Sequence, residues 1–408
     1  MGRCEEDIIR EKQARINLDE NAVKPYVLPP SPFAVCRTQD EFAAVRSKVL
    51  KLFADEMYGA VPPAPEEISW HEVSNVPVYN GLGTRREIEI LCSHKGKSKV
   101  LHLMLHLPRH KEEKVPCFFG LNFYGNASTT TETGVSFLPF DRTPYGKFVD
   151  SDPANAKAGM QAYRFDYEQV LSAGFASATI WYFELFPDHR EGFRESIMPL
   201  FYSAEQWQSE NRPSTALSAW AWGIMRAVDC LAEQPEIDPG RIFVHGHSRL
   251  GKAALWAGAN DERIALTVSN CSGCGGAKLT HRYFGENLEW LLHFRDYWFV
   301  PRFQQYICNE VNMPFDQHWL MGCCMPRALY VASAVDDCNA DPAGEFLATR
   351  YASECWERAG FEALPAACVM PPADSGITAG NLRYFLRSGK HDITPENWAD
   401  MLKFAAAL

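Results

Sequence analysis

Hydrophobic and polar positions change period along this chain, from helical to strand-like and then to an alternation of the two. From Met1 to about Pro32 polar positions dominate, in a helical lead that ends in the arm Leu28-Pro29-Pro30-Ser31-Pro32. Between Thr38 and Ala54, Phe42, Val45, Val49 and Phe53 recur at helical spacing, and Pro62-Pro63-Ala64-Pro65 closes the segment. Strand-like runs follow at Ile68–Val73, Arg85–Cys92 and Lys99–Leu107, where Val100, His102, Met104 and His106 alternate with leucines. Val115–Asn122 contains a short buried strand, and Phe175–Ile180 reads as another. Pro213-Ser214 opens an amphipathic helix with Leu217, Trp220, Ile224, Val228 and Leu231 on one face. Then come apolar runs at Arg241–His245, Ile264–Asn270, Ala328–Ala334, Ala366–Met370 and Leu382–Leu386.

Strands alternating with helices predict an α/β protein. Its sheet is mainly parallel and covered by helices on both faces, a three-layer αβα sandwich. No repeat or low-complexity tract is visible, and one domain over 1–408 is expected. It carries an N-terminal arm (about 1–65) and insertions near 127–165 and 278–320. The first insertion opens at Ala127-Ser128-Thr129 and runs irregularly to about Gln161. A loop of that length in a compact domain carries function or covers a site.

The composition narrows the function classes. A net charge of −11, from 40 basic and 51 acidic residues, argues against a nucleic-acid binder but allows a local basic pocket. No apolar stretch is long enough to cross a membrane as a helix. The first residues are charged and lack the apolar core of a secretory signal. Two expectations follow: a cytoplasmic protein, or a secreted one whose signal has been removed. The 13 cysteines are odd in number and cannot all pair within the chain. Cys271-x-x-Cys274 is not matched by a second Cys or His pair, so no metal or other cofactor is expected and buried free thiols are.

The chemistry concentrates at Gly246-His247-Ser248-Arg249-Leu250-Gly251-Lys252, between the strand-like Arg241–His245 and the small-residue helical run Ala253–Ala259. A serine on a sharp strand-to-helix turn is the nucleophile elbow of the α/β-hydrolases. The helix that starts there aims its N-terminal amides where an oxyanion would develop. The general pattern is Gly-x-Ser-x-Gly; here Leu250 holds the second glycine's place and Gly251 comes one residue late. Arg249 and Lys252 lie on the first turn, where a cation opposes the helix dipole, which points to a functional reason for them.

In this fold the acid and then the histidine follow the serine in chain order. The run Ala328–Ala334 leads into Val335-Asp336-Asp337-Cys338-Asn339-Ala340-Asp341-Pro342, and Leu382–Leu386 leads into Gly389-Lys390-His391-Asp392. His391 is the expected base. Asp337 is the first choice of acid, with Asp336 and Asp341 as rivals; Asp341 precedes Pro342, which biases it to an extended conformation.

With these residues in place, the chain resembles the bacterial glucuronoyl esterases of carbohydrate esterase family 15, from about Gly120 onward. The resemblance rests on the elbow segment, Ser269-Asn270-Cys271-Ser272-Gly273-Cys274-Gly275-Gly276, Phe315-Asp316-Gln317-His318-Trp319-Leu320 and Gly389-Lys390-His391-Asp392-Ile393-Thr394. The late glycine is this family's own pattern. The resemblance implies an α/β-hydrolase that cleaves the ester between a lignin alcohol and 4-O-methyl-glucuronic acid on xylan. It implies Ser248 as nucleophile, His391 as base, Arg249 at the oxyanion, and Lys252 and Glu286 on the sugar. Its partner would be glucuronoxylan or a lignin-carbohydrate ester, and a monomer is expected. Some members place the acid as a glutamate after the strand that follows the elbow helix, where this chain has Asn270-Cys271-Ser272. Many also carry a sugar-packing tryptophan where this chain has Asn339, so Trp319, Tyr297 or Trp298 is expected to supply the platform. The alternatives are an acetyl-xylan or other carbohydrate deacetylase, and a non-catalytic carbohydrate-binding protein on the same fold.

Overall fold

The computed structural model describes residues 5–109, 113–135 and 152–408. Its strands are β1 (Glu67–Val78), β2 (Gly83–His94), β3 (Lys97–Pro108), β4 (Val115–Asn122), β5 (Ala176–Trp181), β6 (Ile237–His247), β7 (Ile264–Asn270), β8 (Ala328–Ala334), β9 (Ser375–Ala379) and β10 (Leu382–Arg387). The helices used below are α1 (Glu5–Ala14), α2 (Gln39–Phe53), α3 (Ala216–Ala232), α4 (Arg249–Asn260), α5 (Leu288–Arg295), α6 (Gln317–Gly322), α7 (Pro342–Ala352) and α8 (Pro395–Ala405).

The strands form one sheet in the order β1-β2-β3-β5-β4-β6-β7-β8-β10-β9. From β5 to β10 every neighbouring pair is parallel, while β1, β2, β3 and β9 join antiparallel at the two edges. Alternation along each strand builds a core on each face. Phe119, Leu121, Val244 and Val331 pack with residues of α3 and α4 on one side. Phe118, Phe243, Val268 and Tyr330 pack with Trp398, Met401 and Phe404 of α8 on the other. The three-layer αβα sandwich expected from the alternation is the architecture observed.

Two local expectations change. Ala366–Met370 is not a strand: Cys368 N donates to Pro365 O in a turn (2.9 Å), and Val369 is 79% exposed. The sheet edge there is taken by β9, joined to β10 by the two-residue turn Gly380-Asn381 with Gly380 at φ 51°. The α3 helix is buried almost all round rather than on one stripe. The end of the N-terminal arm covers its outer face, through Ser218 Oγ donating to Tyr58 O (2.8 Å) and Trp222 Nε1 to Pro63 O (2.8 Å). Part of the insertion near 127–165, residues 136–151, lies outside the described residues. No helix among the described residues is long and apolar enough to cross a membrane.

Burial on both faces also encloses histidines. His106 stacks on Tyr167 (3.9 Å between ring centres), and His245 lies among Phe118, Phe165 and Trp398. Burial pushes both imidazoles down to a pKa of about 3. The unfolded chain takes up these protons below about pH 6.5 and the folded protein does not, so this stability is present near neutrality and lost as pH falls from 6.5 toward 3. Each group contributes a slope of about 1.4 kcal/mol per pH unit. His106→Phe keeps the stacked shape and removes one proton. The denaturation free energy of this variant, measured from pH 6.5 to 4.5, is expected to fall less steeply than wild type by about that slope.

Candidate active site

Ser248 sits between the last residue of β6 and the first of α4, at φ 58° and ψ −128°. A side chain at positive φ is strained and persists only when its surroundings over-determine it. Here Ser248 N donates to Asn270 O (2.9 Å), and Gly251 N donates to Ser248 O (2.9 Å). The glycines show why the turn closes where it does. A Cβ on Gly246 would lie 2.0 Å from Leu250 O, and one on Gly251 would lie 3.0 Å from both Gly246 O and Ser272 Cβ. Leu250 instead turns into the core, 1% exposed. The close approach of α4 to the strand ends falls at residue 251, which explains the late glycine.

The loops after β8 and β10 run side by side beyond the strands. Val335 N donates to Arg387 O and Asp336 N to Gly389 O, both at 2.9 Å. Asp337 then turns inward, and its Oδ2 accepts from His391 Nδ1 at 2.6 Å. A carboxylate can only accept, so His391 carries its proton on Nδ1 and leaves Nε2 as the acceptor. The rivals point elsewhere. Asp336 is exposed. Asp341 caps α7, accepting from Gly344 N (2.9 Å), and pairs with Arg282 at 2.6 Å. It precedes Pro342 but adopts φ 58° and ψ 76°, not the extended conformation expected, because the capping bond and the buried ion pair override the local bias. Asp392 pairs with Arg164 at 2.7 Å.

Ser248, Arg249, Lys252, Glu286, Asp337 and His391 share the lining of one cavity of about 610 Å³. Arg249 and Lys252 are both buried, as a shared first turn of α4 requires. Asp188, fully buried, pairs with Arg249 and accepts from Tyr297 OH and Trp298 Nε1, each at 2.7 Å. Burial pushes the Asp188 carboxyl up, but Arg249, Arg295 and these hydrogen bonds outweigh it and the net shift is down. Burial pushes the Lys252 ammonium down, opposed chiefly by Glu286. Lys252 Nζ donates to Ser272 O, and the turn that carries this carbonyl is pinned by buried Glu345. Glu345 accepts from Gly273 N (2.9 Å) and Ser333 Oγ (2.5 Å), and burial raises its pKa to about 8. Such a cavity can hold an acyl group beside a serine, a base with a fixed tautomer, and cations for a developing negative charge.

The structure thus brings together Ser248, His391, Asp337, Arg249, Lys252 and Glu286. Trp319 is a correction: it sits in α6, 7% exposed in the core, and does not line the cavity. Its apolar neighbours on α6, Leu320 and Met321, are wholly buried and hold the short helix inside. Tyr297 is tied to Asp188 instead. Trp298 does line the cavity, with the Arg249, Arg295 and Lys252 cations over its ring at 5.2, 5.5 and 6.0 Å. The sequence reading missed Trp290 and Arg295 on α5, and it missed Asp188 and Glu345. The last two lack any local signature: Arg249, the cation paired with Asp188, lies 61 residues away, and Gly273, whose N–H donates to Glu345, lies 72 away. The twelve described cysteines are unpaired, nine of them buried. Cys271 lies with its sulfur and the ligand atoms of Asp337 and His391 within 4.8 Å of one another, while Cys274 is not part of that group.

The chain is similar to known proteins over most of its length. The family model for fungal glucuronyl esterases matches residues 200–360. Carbohydrate esterase MZ0003, from an unknown prokaryotic organism, is 34% identical over 396 residues, covering 95% of this chain and 91% of that protein. The solved structure of a promiscuous CE15 esterase from a marine bacterial metagenome superposes with a TM-score of 0.85, at 34% identity over 96% of this chain and 99% of its own. The glucuronoyl esterase of Solibacter usitatus gives the same score and identity, over 95% and 99%. The chain therefore belongs to carbohydrate esterase family 15, the glucuronoyl esterases.

Proposed function

We propose that this protein is a serine carboxylesterase that hydrolyses esters of glucuronic acid and its 4-O-methyl derivative, as in the lignin-carbohydrate links of glucuronoxylan. The observation that carries this reading is the 2.6 Å Asp337–His391 pair in the same cavity as Ser248 and two buried cations. His391 Nε2 takes the Ser248 hydroxyl proton as Oγ attacks the ester carbonyl. The carbonyl oxygen gains negative charge, which the Arg249 guanidinium and the N-terminal end of α4 stabilise. Asp337 holds the imidazolium. Collapse breaks the C–O bond to the alcohol, which leaves with the proton from His391. Water then attacks the acyl-serine through the same base, releasing the uronic acid and restoring Ser248. Asp188 keeps the Arg249 guanidinium facing the cavity.

Lys252 and Glu286 hold hydroxyls of the sugar on the acyl side. An acetyl ester carries its sugar on the alcohol side and cannot use them in this way. Lys252→Ala is therefore expected to raise KM for benzyl glucuronate about 10- to 100-fold, the range of a lost charged hydrogen bond, with a far smaller effect on an aryl acetate. Equal losses on both esters would place Lys252 at the oxyanion or in the scaffold. A wild-type preference for acetylated xylan over benzyl glucuronate would overturn the glucuronoyl reading.

A further inference from the structure

The parallel strands β6 and β7 bring His247 and Asn270 side by side at the end of the sheet that carries the site. Asn270, the last residue of β7, is 1% exposed and binds on three sides. Its backbone carbonyl accepts from Ser248 N (2.9 Å). Its side-chain nitrogen lies 3.0 Å from Asp392 O, the carbonyl of the residue that follows His391. The same nitrogen lies 2.7 Å from Nδ1 of His247, the residue that precedes Ser248. Its side-chain oxygen accepts from Asn397 Nδ2 (3.4 Å).

These partners fix the hydrogens. A backbone carbonyl can only accept, so the NH₂ of Asn270 faces Asp392 O, and its second N–H is left for His247. His247 Nδ1 is then an acceptor, and the ring carries its proton on Nε2. The ring stays neutral, because burial and the nearby His391, Arg164, Arg387 and Arg249 hold its pKa well below the ordinary range. Held in this way it packs on the base, with 4.5 Å between the ring centres of His247 and His391. The arrangement needs one nitrogen with two hydrogens. A serine has a single O–H, and an ionised aspartate has no donor at all.

The loop after β10 has other ties, but they do not reach the elbow. Arg387 donates to Lys390 O (2.6 Å) and Asp392 O (3.3 Å) from the strand that leads into the same loop. Arg164 and Tyr163 hold the Asp392 carboxylate, at 2.7 and 2.9 Å. The Cys271 thiol is 3.9 Å from Asp392 O.

We infer that Asn270 is a positioning residue, which sets the reach from Ser248 Oγ to His391 by tying the elbow and the loop of the base to one buried amide. The inference rests on the esterase reading above. Asn270 does not line the cavity, so it acts through the serine and the histidine and not on the substrate. Its loss therefore falls on the chemical step, and on every ester alike. A displacement of about 1 Å between reacting groups can cost 100-fold in rate.

The test is Asn270→Asp, which keeps the side-chain volume and the backbone bond to Ser248 N and removes both donated hydrogen bonds. Complete labelling by a fluorophosphonate counts the competent Ser248 sites, so that kcat is read per site. The variant is expected to label as fully as wild type and to lose about 10- to 100-fold in kcat per site, by the same factor on benzyl glucuronate and on an aryl acetate, with KM within about twofold. Asn270→Ala, which leaves room for water in place of the amide, carries the same expectation if the aspartate variant does not fold. A role in the scaffold alone would lower the number of labelled sites and leave kcat per site unchanged. That result, a loss confined to KM or to one ester, or failure of both variants to fold would overturn the inference and leave the esterase reading standing. No turnover of either ester by the wild type would overturn that reading and the inference with it.

Discussion

Ser248→Ala is expected to lower kcat on benzyl glucuronate by at least about three orders of magnitude with little change in melting temperature. The serine oxygen is the atom that forms the acyl bond in the proposed mechanism, and nothing else in the cavity replaces it. Cys271 also lines the cavity. Burial holds its thiol well above the ordinary range, so it stays protonated and unreactive near neutral pH. Folding is expected to survive because Ser248 sits at φ 58°, where alanine is strained to a similar degree, and because the backbone bonds to Asn270 and Gly251 do not involve the side chain. The check is a single-turnover assay with a thermal melt on the same preparation. Near-normal turnover by a folded variant would remove Ser248 from the mechanism.

Asp337→Asn is expected to lower kcat about 10²- to 10⁴-fold. An asparagine can present its NH₂ to His391 Nδ1, which turns that nitrogen into an acceptor and puts the ring proton on Nε2, where it blocks proton transfer from Ser248. The same substitution at the two neighbouring acids separates catalysis from stability. Asp336 is exposed, and its asparagine variant should match wild type in both activity and melting temperature. Asp341 is wholly buried against Arg282, and its variant should lose about 1–3 kcal/mol of stability while kcat changes little. Three asparagine variants measured for kcat and chemical denaturation decide the matter. Activity retained in Asp337→Asn and lost in either neighbour would place the acid elsewhere.

Local sequence determined the elbow, the order of strands and helices, and the loops that carry Asp337 and His391. These depend on short-range physics. A glycine is required where α4 crosses the strand ends at Gly246 and Gly251, and residues 334 to 337 can turn inward only once a strand has ended. The αβα layering was legible for the same reason, since alternation along β3 and β4 states which side chains face each core. Where local signals competed, the sequence was ambiguous. Ala366–Met370 is apolar enough for a strand but has no neighbour to pair with, while the weaker Ser375–Ala379 gains one through its turn into β10.

Only the tertiary structure decided which of the three aspartates meets His391, because the answer depends on two further backbone bonds between the β8 and β10 loops. It also decided that Trp319 lies in the core, that Trp290 and Trp298 line the cavity, that Asp188 pairs with Arg249, and that Glu345 pins the turn beside Lys252. It placed the N-terminal segment against α5, where Ile9 and Gln13 become walls of a cleft some 240 residues further along the chain. A period in sequence reports which face of an element is buried. It does not report which distant element buries it, and a site built from long-range contacts exists only once the layers have closed.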